Sequence, residues 1–452
     1  MSASLEPFVL NLLSSEAPRY TSYPSAHHFK NLSAEKYINW LQNLNPNESI
    51  ALYVHIPFCQ QLCYFCGCHT KVTNHYEPVS DYVRTLTGEI QILKKHLHQK
   101  PKLHCLHFGG GSPTILKPED MHSLFNEINS VFEILPDSEI AIEIDPRRLT
   151  EEKAKKYAEL GFNRASLGVQ DFNQRIQKSI NRIQPYELVS DAISLLRNVG
   201  INSINLDLLY GLPFQTIETL DETLSKVVSL SPDRIAYFSY AHVPWVKKHM
   251  QLIPDEALPD AKTKSDFYLF ATNYLKAHNY SPVGIDHFAK PNDKLIESYK
   301  TGRLRRNFMG YTDLPNDLII GIGASSISGM ADGIAQNVSN FDTYKKTVAA
   351  GELPTIRGWE YNEDDLVRRA IINKLMCYFE ADIGKILLEN DYDEDYFDEE
   401  ISQLDAFAEN NIIVKYGREV EFISPLKMLI RSVAACFDPY TKLPESRYSK
   451  VA

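Results

Sequence analysis

Four cysteines lie close together at positions Cys59, Cys63, Cys66 and Cys68. The first three have the spacing C-x3-C-x2-C, which lets three thiolates on one tight loop face a common centre. A [4Fe–4S] cluster held by only three thiolates keeps one iron free to bind another molecule. Cys68 is too close to Cys66 for both to bind one cluster readily, so we expect it to support the loop or line a pocket. A zinc knuckle is the alternative, but no second C-x2-C pair or suitably spaced histidine pair accompanies the loop.

A glycine-rich turn follows about forty residues later, at Gly109-Gly110-Gly111-Ser112. Successive glycines let the backbone approach a ligand closely. The turn is not a Walker loop, because no Gly-Lys-Ser/Thr follows, and it lacks the third glycine of a dinucleotide fingerprint. A ligand-binding turn and a plain tight turn are both compatible with this pattern.

Acidic residues occur inside apolar segments. Glu143 and Asp145 alternate with isoleucines, so both are expected on the same side of a strand. Asp207 lies in a similar apolar run and could bind ribose hydroxyls or an amino group. Buried carboxylates are costly unless they are paired or used. A functional site is therefore predicted, with a structural salt bridge as the alternative.

These residues need a scaffold, and the chain alternates β-prone runs with helical segments. The predicted strands are Leu52–Ile56, Leu103–Phe108, Ile140–Ile144, Arg164–Val169, Ile204–Leu209 and Ile235–Tyr240. The predicted helices between them are Tyr82–Leu97, Pro118–Val131, Glu151–Leu160, Tyr186–Val199 and Ile217–Leu230. Repeated strand–helix units indicate a parallel sheet, and polar residues near the strand ends are typical of an α/β barrel. We favour an open or partial barrel over a doubly wound sheet, which would bind ligands at one switch point.

The character of the chain changes after about Trp359. Helices are predicted over Glu363–Tyr378, Phe397–Ala408 and Pro425–Cys436, with a hairpin formed by Ile412–Val414 and Val420–Ile423. This order resembles a winged helix, but the acidic stretch Glu389–Glu400 would repel DNA. We predict three parts: residues 1–45 as an N-terminal segment that closes the active site, 46–355 as the catalytic domain, and 356–452 as a small, mostly helical C-terminal domain.

Composition limits the possible partners and location. The net charge of −11 argues against nucleic acid, which requires a basic face. The N-terminal residues lack the pattern of a signal peptide, and no apolar stretch is long enough to span a membrane. The remaining cysteines, Cys105, Cys377 and Cys436, are expected to be core residues. A cytoplasmic monomer is therefore expected.

Several motifs resemble those of the oxygen-independent coproporphyrinogen III oxidases, a family of radical S-adenosylmethionine (SAM) enzymes. They are RYTSYP from Arg19, YVHIPFC from Tyr53 with its CYFCGC continuation, FGGG from Phe108, EIDP from Glu143, GVQDF from Gly168, Asn181-Arg182, DLLYGLP from Asp207, YAH from Tyr240, DHFA from Asp286, CFD from Cys436 and SKV from Ser449. The resemblance runs from about Arg19 to the C-terminus. It implies a partial (β/α)6 TIM-like barrel that converts two propionates of coproporphyrinogen III to vinyls, giving protoporphyrinogen IX in haem biosynthesis.

The resemblance also implies one [4Fe–4S] cluster and two SAM molecules. The cluster ligands would be Cys59, Cys63 and Cys66. The first SAM would contact Tyr53, Gly110, Glu143 and Ile327. The second would contact Phe65, Gly111, Ser112, Gln170, Arg182, Asp207 and Ala241. Catalytic roles are expected for Tyr53, His55, Glu143, Met309 and Ile327.

Other features bear on the substrate and partners. Arg19 is a candidate anchor for a propionate, with a surface arginine as the alternative. Met309 stands where the family usually has glutamine, and Lys450 where arginine is common, so either change could alter substrate or second-cofactor handling. A haem-binding chaperone of the same fold, a radical SAM enzyme acting on another tetrapyrrole, and a winged-helix regulator with a vestigial cluster are the alternatives. The oxidase would need a separate, unidentified electron donor.

Overall fold

The elements of this fold are taken from a computed structural model, which describes residues 6–443 and 447–452. Residues 1–5 of the predicted N-terminal segment and 444–446 of the predicted C-terminal domain lie outside the described residues. The strands of the described part are β1 (Lys30–Asn31), β2 (Ser49–Ile56), β3 (Phe58–Cys59), β4 (Lys71–Val72), β5 (Lys102–Gly110), β6 (Glu133–Ile144), β7 (Arg164–Gln170), β8 (Ser203–Tyr210), β9 (Arg234–Ser239), β10 (Ser281–Val283), β11 (His287–Ala289), β12 (Arg305–Asn307), β13 (Gly310–Thr312), β14 (Ile319–Ile322), β15 (Ile327–Met330), β16 (Gly333–Asn337), β17 (Thr355–Glu360), β18 (Glu380–Asp382), β19 (Ile413–Tyr416) and β20 (Glu419–Phe422).

The α-helices lie mostly between these strands. In the same described part they are α1 (Pro7–Ser14), α2 (Ala34–Gln42), α3 (Glu77–His96), α4 (Pro118–Val131), α5 (Glu151–Glu159), α6 (Gln174–Ser179), α7 (Tyr186–Asn198), α8 (Ile217–Leu230), α9 (Ala261–Ala277), α10 (Lys294–Lys300), α11 (Phe341–Ala349), α12 (Glu363–Tyr378), α13 (Ile383–Glu389), α14 (Asp398–Gln403), α15 (Asp405–Glu409) and α16 (Ile430–Ala435).

The six predicted barrel strands form a continuous parallel sheet in the order β2-β5-β6-β7-β8-β9. The five predicted helices between them are also present, as α3, α4, α5, α7 and α8. Two predicted helix starts are confirmed, because the Thr150 hydroxyl accepts from the Lys153 N–H and Thr216 forms a capping box with Thr219. The predicted strand–helix alternation is therefore correct.

The sheet continues beyond the six strands on both sides without closing. β14 pairs parallel with β2 and leads to the antiparallel strands β15, β16, β17 and β1, while β11 and β10 extend the other edge. The two edge strands, β1 and β10, are not hydrogen-bonded neighbours. The architecture is an α/β partial barrel, as predicted.

The C-terminal part combines helices with a small sheet. β18, β20 and β19 form an antiparallel sheet beside α12, and β19–β20 is the predicted hairpin. The helix predicted over 397–408 is divided at Leu404 into α14 and α15, and the last helix is shorter than predicted. The proposed boundary at residue 356 falls inside β17, which belongs to the large sheet. The three-part division stays a prediction.

The two ends of the chain meet above the barrel. Arg431 is buried and donates to the carbonyl oxygens of Pro18, Lys450 and Val451, at 3.0 Å in each case. Glu16 and Lys450 form an antiparallel bridge, and the Lys450 side chain is exposed to solvent. These contacts hold the segment that contains Arg19 over the barrel. Among the described residues, no helix is long and apolar enough to cross a membrane.

Candidate active site

The cysteine loop begins at the C-terminal end of β2 and is held by the segment after α6. The Tyr64 N–H donates to the Ile180 carbonyl at 3.0 Å, and the Asn181 amide donates to the Leu62 carbonyl at 2.8 Å. Within the loop, the Cys66 N–H donates to the Cys63 carbonyl at 3.2 Å. Backbone bonds to a neighbouring segment therefore fix where the thiols lie.

The three predicted ligands line one cavity of about 240 Å³, here called the cluster cavity. Burial, together with the neighbouring thiols of Cys66 and Cys63, raises the pKa of the Cys59 thiol to about 12. The Arg182 guanidinium lies 3.7 Å from the Cys63 sulfur and can donate to it. Three thiols with a cationic donor suit an iron–sulfur cluster, whose iron charge stabilises thiolates.

Cys68 also lines the cluster cavity, although its residue is largely exposed. A hydrogen bond from its thiol lowers the pKa of Cys66, and the Cys68 carbonyl accepts from the Lys247 ammonium at 2.9 Å. Over residues 6–443 and 447–452, no three His, Cys, Asp or Glu side chains are arranged to hold a metal ion. A [4Fe–4S] cluster differs from such a site, because each of its thiolates binds a different iron atom.

The glycine turn packs tightly against protein groups. A Cβ at Gly110, where φ is +112°, would lie 2.5 Å from the His55 ring, and one at Gly109 would lie 2.7 Å from Glu143. The Gly111 N–H donates to the Ile56 carbonyl at 2.8 Å. Glycine is required here because a side chain would collide with His55 or Glu143, and because the backbone at Gly110 has a positive φ.

Glu143 accepts hydrogen bonds from the Gly110 N–H at 3.0 Å and pairs with His107 at 3.3 Å. Burial opposes ionisation, but these partners lower the pKa of Glu143, so its carboxylate is charged at neutral pH. Tyr53 stacks on His107 with ring centroids 5.8 Å apart. The predicted carboxylate thus lies in a polar group that also contains Tyr53.

His55 positions Tyr53. Burial lowers the pKa of His55 to about 4, so the ring is neutral near pH 7. Its Nε2 lies 3.1 Å from the His69 carbonyl, which can only accept, so Nε2 carries the proton. Nδ1 therefore accepts from the Tyr53 hydroxyl at 3.1 Å. Because both ring nitrogens make hydrogen bonds, His55 is placed to orient Tyr53. The catalytic role predicted for His55 stays a prediction.

The end of β7 carries a local irregularity that directs side chains into the cluster cavity. The register shifts between Gly168 and Gln170, and Gln170 has φ +69°. Arg182 donates to the Gly168 carbonyl at 2.6 Å, and both Gln170 and Arg182 line the cavity. Left-handed backbone at a non-glycine residue is costly and is often found at functional sites.

Asp207 marks the junction with a second cavity of about 270 Å³ inside the barrel, here called the barrel cavity. Burial, together with the nearby Glu143 carboxylate, raises the pKa of Asp207 to about 6. The cluster cavity and the barrel cavity share Glu143, Ser166 and Asp207. A molecule bound near the thiols can therefore contact one in the barrel.

The predicted site residues divide into those that line these cavities and those that do not. The predicted residues that line the cluster cavity are Cys59, Cys63, Phe65, Cys66, Gly110, Gly111, Ser112, Glu143, Gln170, Arg182 and Asp207. Met309 lines the barrel cavity, as do Glu143 and Asp207, which both cavities share. Tyr53, His55, Ala241 and Ile327 are not among the described lining residues of either. Ile327 packs instead near Phe29, Ile334 and Trp359.

Cationic groups line the barrel cavity and were only partly anticipated. Arg19 lines this cavity and donates to the Ser239 carbonyl at 2.9 Å, so the alternative of a surface arginine is wrong. Arg306, Asp286 and His287 also line it, and the Arg306 and His287 side chains pair with the Asp286 carboxylate. The DHFA motif contained Asp286 and His287 but did not indicate this network.

The fold and the site define a class of protein. The sequence pattern of the Radical SAM superfamily matches residues 53–227, from Tyr53 in β2 to α8. The matched region contains the cysteine loop, the glycine turn and most of the cluster-cavity lining. The chain is a radical SAM protein, and this class implies a [4Fe–4S] cluster and SAM.

Relatives along the whole chain narrow this class to one family. The oxygen-independent coproporphyrinogen III oxidase of Bradyrhizobium diazoefficiens is 39% identical over 424 residues, covering 94% of each chain. That of Helicobacter pylori is 38% identical, covering 97% of each. The solved coproporphyrinogen III oxidase of Escherichia coli, described as a radical SAM enzyme, has a TM-score of 0.90 at 34% identity, covering 97% of this chain and 99% of that one. This chain belongs to the oxygen-independent coproporphyrinogen III oxidase family of radical SAM oxidoreductases.

Proposed function

We propose that this protein converts coproporphyrinogen III to protoporphyrinogen IX without oxygen, as a step of haem biosynthesis. For each of two propionates, a hydrogen atom leaves the β-carbon, carbon dioxide departs, and one electron passes to an acceptor, which leaves a vinyl group. The observation that carries this proposal is the continuity of the two cavities: three cysteine thiols line one, and Arg19 and Arg306 line the other. Radical chemistry and carboxylate binding are thus possible side by side.

The cluster and SAM would be held by residues of the cluster cavity. Cys59, Cys63 and Cys66 would hold the cluster, with Gly110 and Glu143 beside the first SAM. When bound, the cluster and SAM supply a primary carbon radical that can take a hydrogen atom from a C–H bond that no protein base could ionise. The charged Glu143 carboxylate suits the amino group of SAM.

A second SAM is part of the proposal. Six of its seven predicted contacts line the cluster cavity, namely Phe65, Gly111, Ser112, Gln170, Arg182 and Asp207, whereas Ala241 does not, and these six support a further ligand beside the first. Equilibrium dialysis with labelled SAM should give two molecules bound per reconstituted chain, and fewer in Asp207→Ala. One molecule in the wild type would contradict this part alone.

The described groups around the barrel cavity also serve the reaction. An enclosed cavity excludes water from a reactive intermediate. Arg19 would bind a propionate, because a buried guanidinium forms strong charge-assisted bonds with a carboxylate. We further propose a cytoplasmic monomer that receives electrons from a separate one-electron donor.

The test is an anaerobic turnover experiment. The protein is reconstituted with iron and sulfide, then given SAM, a reductant and coproporphyrinogen III, and the porphyrin products and 5′-deoxyadenosine are quantified. Protoporphyrinogen IX is expected from the wild type and from Cys436→Ala, a matched control distant from the cysteine loop in the sequence, but not from Cys59→Ala. Haem binding without turnover would favour the chaperone alternative, and absent SAM cleavage would refute radical chemistry.

A further inference from the structure

A third, smaller cavity lies beside the barrel cavity. It is enclosed by residues 20–23, the β12–β13 hairpin, the β14–β16 strands and α12, and its volume is about 60 Å³. On the same measure a single water needs about 10–15 Å³, so this space suits several waters or one short ligand side chain. The cavity, here called the side pocket, shares Thr21, Arg306 and Phe308 with the barrel cavity. A ligand in the barrel can therefore extend a side chain into it.

The side pocket concentrates polar atoms that the protein leaves unpaired. Tyr23 Oη, Arg306 Nη1, Asn307 Nδ2 and Asp317 Oδ1 are buried, lack a hydrogen-bond partner among the described residues, and belong to residues that line this pocket. Tyr23 and Asn307 are 4% and 8% exposed. An unpaired buried polar group costs about 1–3 kcal/mol, so most such groups are paired. Four together indicate a site for a polar ligand.

Three of these four groups are donors. The Asn307 Oδ1 accepts from the Met309 N–H at 2.8 Å, which fixes the amide so that Nδ2 is the free donor. Burial raises the pKa of Tyr23, so its hydroxyl keeps its proton. The Arg306 guanidinium lies over the Tyr311 ring, 4.6 Å from its centroid, and its hydrogen bonds to the described residues are long, at 3.4 Å to the Arg19 carbonyl and 3.5 Å to Asp286. The pocket therefore favours a ligand that accepts hydrogen bonds.

The charges around the pocket favour an anion. Asp317, the one acceptor of the four, is neutralised by Arg369 at 2.5 Å and faces Arg305 at 3.6 Å. Among the described carboxylates, Asp286 is the one that pairs with Arg306, and Asp286 also pairs with His287. The lining itself carries two guanidiniums, Arg306 and Arg369, against one carboxylate, Asp317, and this excess positive charge, together with the three donors, matches a carboxylate.

We propose that the side pocket binds one carboxylate side chain of the tetrapyrrole through Tyr23, Arg306 and Asn307. This inference rests on the proposed function, because it assumes a polycarboxylate in the barrel cavity. No cysteine of the loop lines the side pocket. The barrel cavity lies between the side pocket and the cluster cavity, because it shares lining residues with both. The bound carboxylate therefore belongs to a propionate that is not reacting, and the pocket selects the orientation in which another propionate faces the thiols.

Two variants test the pocket. Asn307→Asp keeps the oxygen that accepts from the Met309 N–H but replaces the free donor with a carboxylate oxygen, which repels an anion. Tyr23→Phe removes only one hydroxyl. Tyr157→Phe is the matched control, because it also deletes a buried, unpaired hydroxyl, but on α5 and outside the lining of these cavities. KM and kcat for coproporphyrinogen III are measured anaerobically.

The expected result is a selective rise in KM. Asn307→Asp should raise KM at least about tenfold and Tyr23→Phe about fivefold, the value of one hydrogen bond, with smaller changes in kcat. Tyr157→Phe should match the wild type. Wild-type KM in both pocket variants would overturn the subsite while leaving the oxidase intact, whereas no turnover by the wild type would overturn both. If Asn307→Asp fails to fold, judged by circular dichroism, Tyr23→Phe decides.

Discussion

The substitution Gly110→Ala should damage the site through His55. The added methyl group would lie 2.5 Å from both Cε1 and Nδ1 of the His55 ring. That ring is only 6% exposed and is held by the Tyr53 hydroxyl and the His69 carbonyl, both at 3.1 Å. The ring cannot move away without losing these bonds.

The cost can be worked out from these contacts. An L-residue in left-handed backbone costs about 1–2 kcal/mol, and two lost hydrogen bonds cost about 1 kcal/mol each. The expected loss in the free energy of unfolding is therefore about 3–4 kcal/mol. Gly200→Ala is the matched control, because Gly200 has φ +94° and nothing within 4 Å of an added Cβ. It should lose only about 1–2 kcal/mol, the backbone strain alone.

Urea denaturation followed by tryptophan fluorescence measures both losses, and anaerobic 5′-deoxyadenosine formation measures the effect on the site. Gly110→Ala should lose about 2 kcal/mol more than Gly200→Ala and should also slow SAM cleavage. Equal losses in the two variants would show that His55 moves freely, and the account of Tyr53 orientation would then be wrong.

Other consequences can be tested independently. Cys66→Ala should lose most cluster iron after reconstitution while Cys68→Ala keeps it, measured as iron per chain; equal losses would make Cys68 a ligand. Burial raises the pKa of Glu89 from 4.5 to about 7, so the folded protein retains a proton that the unfolded chain loses. Stability should therefore fall as pH rises between these values, by up to about 1.4 kcal/mol per pH unit relative to Glu89→Gln; parallel pH profiles would contradict this. Arg431→Met leaves buried carbonyls unpaired, so trypsin should cleave after Arg19 faster, seen by mass spectrometry, and an unchanged rate would refute its role in joining the chain ends.

Much of the barrel could be predicted because its signals are local. A buried parallel strand needs a short apolar run, and each crossover helix needs an apolar stripe and a cap, as at Thr150 and Thr216. The boundaries were less predictable where packing decides them. The helix predicted over 397–408 divides at Leu404, a fully buried residue, so tertiary contacts outweigh the continuous helical pattern.

The site was predictable in its thiols and glycines but not in its cationic groups. Arg306 follows α10 and lies far along the chain from the cysteine loop, yet it lines the barrel cavity with Arg19. In β5, His107 lies two residues from both Cys105 and Gly109, so these three positions share one face of the strand. This alternation was the only signal in the sequence that His107 would lie beside Glu143.

By itself, the sequence determined that a loop of closely spaced cysteines, a glycine turn and buried carboxylates stand at the ends of parallel strands, because spacing and hydrophobic period are local properties. Only the tertiary structure decided which groups share a cavity. Gly110 must be glycine because His55, which is remote in sequence, lies against it. Arg19, Arg306 and Asn307 meet because the chain ends and the β12–β13 hairpin fold over the barrel, and such long-range contacts depend on the packing of the whole chain.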